Sequence, residues 1–379
     1  MNAFFKSARS MIFAVGTTAL IAACGGGGGD GSDGGGGNEN PPIARMAAVL
    51  TTDFTSSSLA SMPVSDPTNV AIDGQPLHSD STARAFGSTL FVINRLGADN
   101  IQALDAANGY ATLWQCSVGN GNNPHDIVRI TPEKGYVTLY GGVGVAVVNL
   151  RPNPDCTDFI RSTIDLSSLA DSDGIPEADK MVIIEDRLYV TLQRLENFVP
   201  DELGIVAVID TNSDTLIGSI PLSSPNPFAE TKGLPLDPDS GKILVSSVGV
   251  FGVPDGGIER VDPVSGIAEG FFITEQDLGG DINDFVILSP TRGYAIVSDA
   301  NFDNSLVRFN PSTGEVDATL LSGSAFLPDA EWDEATNQLF VASQDFSDPG
   351  VRIFAEDDSE ITSSPISVGL PPFHINFVE

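Results

Sequence analysis

One short segment returns six times along this chain. It reads LFVINRL (90–96), YVTLY (136–140), LYVTLQR (188–194), ILVSSVG (243–249), YAIVSDA (294–300) and LFVASQD (339–345). Each copy is an apolar run, mostly rich in β-branched or aromatic residues, as expected of a buried strand. A turn such as PEKG, EDR, PDSG, PTRG or EATNQ precedes most copies. A second strand follows each one: IQALD, VAVVNL, IVAVIDT, IERVDP, LVRFNP and VRIFAE. Several of these run into tight turns, DPVSG (262–266) or NPSTG (310–314), and then into a third strand such as TLIGSIPL or EVDATLL. One more strand stands before each strong copy: IVRITP, MVIIED, FVILSP and, more weakly, TARAF, GLPLDP and AEWDE. No stretch after residue 43 holds a helical period.

The unit therefore has four strands in roughly 45–54 residues, the size of a propeller blade. Six complete units run from residue 73 to near residue 370. The remainder is divided between the ends: MAAVLTTDF, SSLASMP and TNVAI at the front, HINFVE at the back. Together they supply a seventh set of four. The expected fold is all-β, a seven-bladed β-propeller of four-stranded blades, closed by N- and C-terminal strands in one blade. Joining both ends in one sheet removes the open seam that a ring would otherwise leave.

GYVT (135–138), LYVT (188–191) and the D/N-P-x-S/T-G turns resemble the YVTN-repeat group of seven-bladed propellers, across nearly all of 43–379. The resemblance implies the fold more than the function, because that fold carries lactonases, redox enzymes and pure binding proteins. It also implies that the loop leading into each innermost strand shares one face with the loop joining the second and third strands.

The lead-in loops are LHSD (77–80), NPHD (123–126), DGIPEAD (173–179), NPFAETK (226–232), DIND (281–284), LPDAE (327–331) and PPFH (371–374). All three histidines of the chain lie in them, in blades 1, 2 and 7, which are contiguous around a closed ring. Counted back from the strong strands, His125 aligns with Asn283 and Asp329, and Asp126 with Asp80, Asp179 and Asp284. The candidate ligand-binding set is His78, Asp80, Arg95, His125, Asp126, Glu177, Arg194, Asp284, Asp329 and His374. Imidazole and carboxylate together suit zinc, copper, iron or nickel, so His78, His125 and His374 are candidate metal ligands and a divalent metal cation the candidate cofactor. The competing reading is that Pro-His-Asp and similar lead-ins satisfy backbone donors and fix turns. Arg95 and Arg194 could grip a ligand carboxylate or phosphate bidentately, or pair at the surface with Asp99 and Glu196. Asp171-Ser172-Asp173-Gly174 matches only the start of a calcium loop. The second-to-third-strand loops read as polar and mostly acidic. No catalytic residue is assigned: G-x-S-x-G, H-E-x-x-H and C-x-x-C-H are all missing from the sequence.

The chain begins with Lys6 and Arg9, a short apolar run (MIFAVGTTALIAA) and Cys24. That order reads as a secretory signal over 1–23. Ile21-Ala22-Ala23-Cys24 resembles a bacterial lipobox, which implies lipidation of Cys24; a plain signal with an incidental cysteine is the alternative. Gly25 after the cysteine implies an outer-membrane destination. Residues 24–42, nearly all Gly, Asp, Ser and Asn, read as the lipidated cysteine and a flexible tether, leaving 43–379 for the propeller. Formal charge is −33, and the leader holds two of the 18 bases and none of the 51 acids. Nucleic acid and anionic lipid surfaces are unsuitable partners for such a chain, so contact with the membrane is expected only through the anchor. Cys116 and Cys156, an even pair in an exported chain, are expected to form a disulfide.

The function expected is a non-enzymatic, envelope-anchored lipoprotein. Its acidic, His-bearing face would bind a small molecule, a metal complex or an envelope protein. A metal-assisted hydrolase such as a lactonase, and a purely structural role, are the other readings.

Overall fold

The computed structural model describes residues 45–200, 202–228 and 233–379. The expected signal (1–23) and tether with Cys24 (24–42) lie outside the described residues. From Met46 the chain forms seven antiparallel sheets. Blade 1 holds Ser81–Phe86, Thr89–Asn94, Asn100–Asp105 and Ala111–Ser117, from the innermost strand outward. Blade 2 begins at Pro124–Thr131, blade 3 at Ala178–Ile184, blade 5 at Asp281–Ser289 and blade 6 at Phe326–Asp333. The strong strand of every repeat is the second of its blade, as its continuous burial requires.

Blade 7 is the composite one. Its order is Pro372–Val378, Met46–Thr52, Ser57–Pro63 and Ala71–Ile72, so the last strand of the chain lies innermost beside the first. Met46 pairs with Val378, Val49 with Ile375 and Leu50 with His374. The alternation PFHINFV is thus explained by pairing with the opposite end of the chain.

Two blades have three regular strands, and isolated bridges occupy the fourth position. In blade 4 the innermost position is held by Pro227 against Ser247 and Leu236 against Ile243. The expected strand GLPLDP contains Pro235 and Pro238, which cannot donate to a ladder. In blade 6 the outermost position is held by Glu360 against Phe354 and Ile366 against Val351, with Pro365 between them.

The apolar cores lie between blades. Seven buried clusters fill the seven seams: Phe91, Val137 and Phe159 join blades 1 and 2, Tyr136, Met181 and Val190 join 2 and 3, and Leu50, Leu59, Ala83 and Leu90 join 7 and 1. Among the described residues each apolar cluster is shared by two blades, so each blade depends on its neighbours, as in other repeat architectures. The recurring tyrosine ties the seams at the turn end. The hydroxyl of Tyr136 donates to Asp214 Oδ1 (2.6 Å), that of Tyr189 to the Pro263 carbonyl (3.1 Å) and that of Tyr294 to Asp358 Oδ1 (2.8 Å), each in the next blade. This gives a physical role to the tyrosine of the YVT segments and to the turns that follow the third strands.

Cys116 and Cys156 are bonded across the blade 1–2 seam, 40 residues apart. Closing a loop of that length stabilises by about 4 kcal/mol in the chain-entropy account. At 2–4 °C per kcal/mol, reduction with dithiothreitol is expected to lower the melting temperature by about 10 °C; calorimetry with and without reductant measures it.

Candidate functional site

The lead-in segments bring most of the predicted polar residues to the start of the innermost strands. There they bond to the adjacent blade. Asp126 Oδ1 accepts from Ile127 N (2.8 Å), and its Oδ2 accepts from Met181 N of blade 3 (2.8 Å). Asp284 repeats the arrangement, with Phe285 N (2.9 Å) and Ala330 N of blade 6 (2.8 Å). Asp329 Oδ2 accepts from Ile375 N of blade 7 (2.7 Å). His374 Nδ1 accepts from Ala83 N of blade 1 (3.0 Å). Four of the seven seams thus carry the same device, in which an inner-strand side chain takes up a backbone N–H of the following blade.

This geometry corrects the sequence register. Asp329 is the equivalent of Asp126 and Asp284, not of His125. Asp179 stands at the His125 position, and Lys180 at that of Asp126. The hairpins after the inner strands shift the count. The strong-strand aromatic pairs with Val128 and Val286 in blades 2 and 5, where a bulge beside the turn adds a residue, with Val182 across a tighter hairpin in blade 3, and with Glu331 across a longer turn in blade 6.

The three histidines are each committed. His125 Nδ1 faces Asp179 Oδ1 at 2.9 Å, its Nε2 faces the Asn123 side-chain amide at 3.2 Å, and the ring stacks on Tyr140 at 3.9 Å. A carboxylate only accepts, so the proton is on Nδ1. Gln193 bridges Asp179 Oδ2 and the Tyr140 hydroxyl, which closes the network. His374 gives its Nδ1 lone pair to Ala83, and its Nε2 lies 3.1 Å from the Asn376 amide. His78 Nδ1 takes up Asp80 N at 3.2 Å.

The metal-ligand set expected from the three histidines is not the one the fold brings together. Among the described residues, donor atoms of Asp329, Glu331 and His374 come within 4.8 Å of one another; His78 and His125 stand outside that group. A neutral imidazole has one lone pair, and in His374 the Ala83 amide uses it. The set His78, His125 and His374 is therefore not assembled as a ligand sphere.

The two arginines are also paired, with partners other than those expected. Arg95 Nε donates to Asp80 Oδ1 (2.9 Å) and Arg194 pairs with Glu202. Glu177 is buried and accepts from Leu195 N at 3.1 Å. Burial, with Asp173 and Asp171 nearby, pushes its carboxyl up to about 8. Burial holds the His125 ring down at about 4, against the pull of Asp179.

These two shifts act on stability in opposite directions. A histidine with a depressed folded pKa loses stabilisation as pH falls from its unfolded value near 6.5 towards 4. A carboxyl raised to about 8 loses stabilisation as pH rises from about 4.5 towards 8. Glu177→Gln is expected to raise the melting temperature by several degrees at pH 9 and by less at pH 5. Equal shifts at both pH values, measured by circular dichroism, would contradict the assignment.

Sequence reasoning missed Tyr140, Gln193, Lys180 and Glu331. The first two sit at strand exits, where an isolated polar residue after an apolar run was the available signal. It also took the second-to-third-strand loops as polar. The structure shows an apolar contribution from every one of them. Of the twenty large apolar side chains that are exposed among the described residues, eleven lie in these loops. They include Phe54, Leu96, Val143, Phe198, Phe251, Phe302 and Phe346, one for each blade.

No family model matches the chain, and no curated protein matches it. Solved structures share its fold. Hydrazine synthase of Kuenenia stuttgartiensis is 17% identical over 80% of this chain and 92% of that one, with a TM-score of 0.58. A quinonprotein alcohol dehydrogenase-like protein of Bacteroides thetaiotaomicron is 11% identical over 87% of this chain and 78% of that one, at 0.54. The Dos1 propeller is 13% identical over 86% of this chain and 83% of that one, at 0.55. At such identities the likeness shows the propeller fold alone.

Proposed function

We propose that this chain is a non-enzymatic binding protein of the bacterial envelope, anchored through a lipidated Cys24, that meets its ligand or protein partner with the loop face of the propeller. One observation carries the reading: the carboxylates and the imidazole at the start of the inner strands, Asp126, Asp284, Asp329 and His374, are bonded within the ring, while the exposed side chains of that face belong to the loops. Asp126, Asp284, Asp329 and His374 hold backbone N–H groups of neighbouring blades. The hydrolase alternative asks those same atoms to serve a metal or a proton transfer. Long, varied loops on one face and short repeated turns on the other fit a scaffold that presents a surface.

The test is hydrogen–deuterium exchange of the full lipidated chain with and without a detergent extract of its own cell envelope. Slower exchange is expected in 193–204, 248–256 and 299–303, with the turns at 262–266 and 310–314 unaffected. Protection confined to those turns would overturn the reading. So would lactone hydrolysis that disappears in His125→Ala. Palmitate labelling that persists in Cys24→Ser would remove the anchor.

A further inference from the structure

The exposed apolar side chains of the loop face form a ring with a contribution from each blade. Second strands end and third strands begin at this face, so the loops 53–56, 95–99, 140–143, 193–204, 248–256, 299–303 and 345–349 encircle one mouth of the propeller. Phe54 is 58% exposed, Leu96 68% and Phe198 65%, and Phe346 is fully exposed. A soluble surface scatters single apolar residues, whereas repeated presentation on one face marks a site of contact.

The backbone holds these rings outward at an energetic cost. Phe54 has a φ of +63°, Phe198 of +65° and Phe302 of +62°, a region that bulky residues avoid. Side-chain carboxylates fix the turns beneath them. Asp53 Oδ1 accepts from Thr55 N (2.9 Å) and Ser56 N (2.7 Å). Asp345 Oδ1 accepts from Ser347 N (2.8 Å) and Asp348 N (3.2 Å). Asp299 Oδ1 does the same for Asn301 (2.8 Å) and Asp303 (3.0 Å). Strain of this kind persists where the surroundings enforce it, and it gathers at functional surfaces.

Charge selects the occupant. Exposed carboxylates rim the ring at Asp53, Glu202, Asp255, Asp303 and Asp348. Among the described residues of these loops the bases are Arg95 and Arg194, and each is paired with an acid. An anionic lipid surface would be repelled. A second copy would set carboxylates against carboxylates. The 25–42 segment of the chain contains no large apolar side chain and adds acids of its own.

We propose that this ring docks a protein whose contact surface is apolar at its centre and rich in Lys and Arg around it. The proposal rests on the binding reading above and names the chemistry of the partner.

The experiment is photo-crosslinking in cells that naturally make the chain, with benzoylphenylalanine at position 346, at position 54 or, as the control, at Val264 on the opposite face. The expected result is one protein adduct from 346 and 54 and none from 264. Its crosslinked peptide should combine apolar residues with Lys or Arg. Adding Phe198→Ser and Phe251→Ser should cut the yield about tenfold, as removal of interface anchors does, with the melting temperature unchanged. Adducts with phospholipid or with the chain itself, no adduct at all, or equal yield from 264 would each overturn the proposal. Exchange protection of the loops without a protein adduct leaves the binding reading standing and this inference refuted; unprotected loops refute the reading itself.

Discussion

Removal of residues 374–379 is expected to leave a chain that cannot hold the ring. Those six residues include His374, Ile375 and Val378, all buried, and they pair with Met46–Leu50 along the inner edge of blade 7. Their loss exposes a strand whose residues after Met46 are entirely buried. It also opens two seams at once. Ile375 belongs to the blade 6–7 core and Val378 to the blade 7–1 core. Burial of these side chains at about 2 kcal/mol each, with several strand hydrogen bonds at about 1 kcal/mol each, reaches about 10 kcal/mol. That matches the whole net stability of a typical domain. The truncated chain is expected to be aggregated or molten at 25 °C, and a peptide carrying 371–379 added during refolding should recover part of the native circular dichroism. A truncated chain that melts within a few degrees of the intact one would show that the ring is not closed in this way.

The second large effect is expected from the seam acceptors. Asp284→Ala removes the partner of two backbone donors, Phe285 N and Ala330 N. Asp329→Ala removes that of Ile375 N. A buried donor left unsatisfied costs about 1–3 kcal/mol, so the double variant, with three such donors, should lose about 3–9 kcal/mol. Asp284→Asn is a sharper probe, because the amide nitrogen then faces an N–H in one of the two positions. His78→Ala touches no seam and should cost about 1 kcal/mol or less. Urea denaturation at pH 7 measures all five. An Asp284→Ala variant within 1 kcal/mol of the parent would return this carboxylate to the pool of ligand-binding candidates.

The contrast between these variants marks what could be read along the chain. Strand and turn signals come from neighbours in sequence: LYVTLQR followed by IVAVIDT needs no distant partner to be recognised, and the repeat count followed from that. The expected strand GLPLDP was weaker in the sequence for the reason it is weaker in the fold: Pro235 and Pro238 cannot donate to a ladder. The candidate site was legible only as a set of residue types. His125 was placed in the right loop, but its partners Asp179 and Gln193 come from blade 3, 54 and 68 positions away. A longer turn between Asp333 and Gln338 moved Asp329 out of its assigned register. The apolar ring was hidden because single phenylalanines inside acidic loops, as in Asp53-Phe54 and Asp345-Phe346, look incidental until seven loops are brought to one face.

The amino-acid order alone determined the number of blades, their strands and the joining of the two ends, since periodicity and turn chemistry are local properties that repetition makes unmistakable. Tertiary structure alone decided what the polar residues of the channel mouth do. Whether a carboxylate or an imidazole is offered to a ligand or held by a neighbouring backbone N–H depends on an adjacent blade, and a linear sequence does not say where that N–H will be.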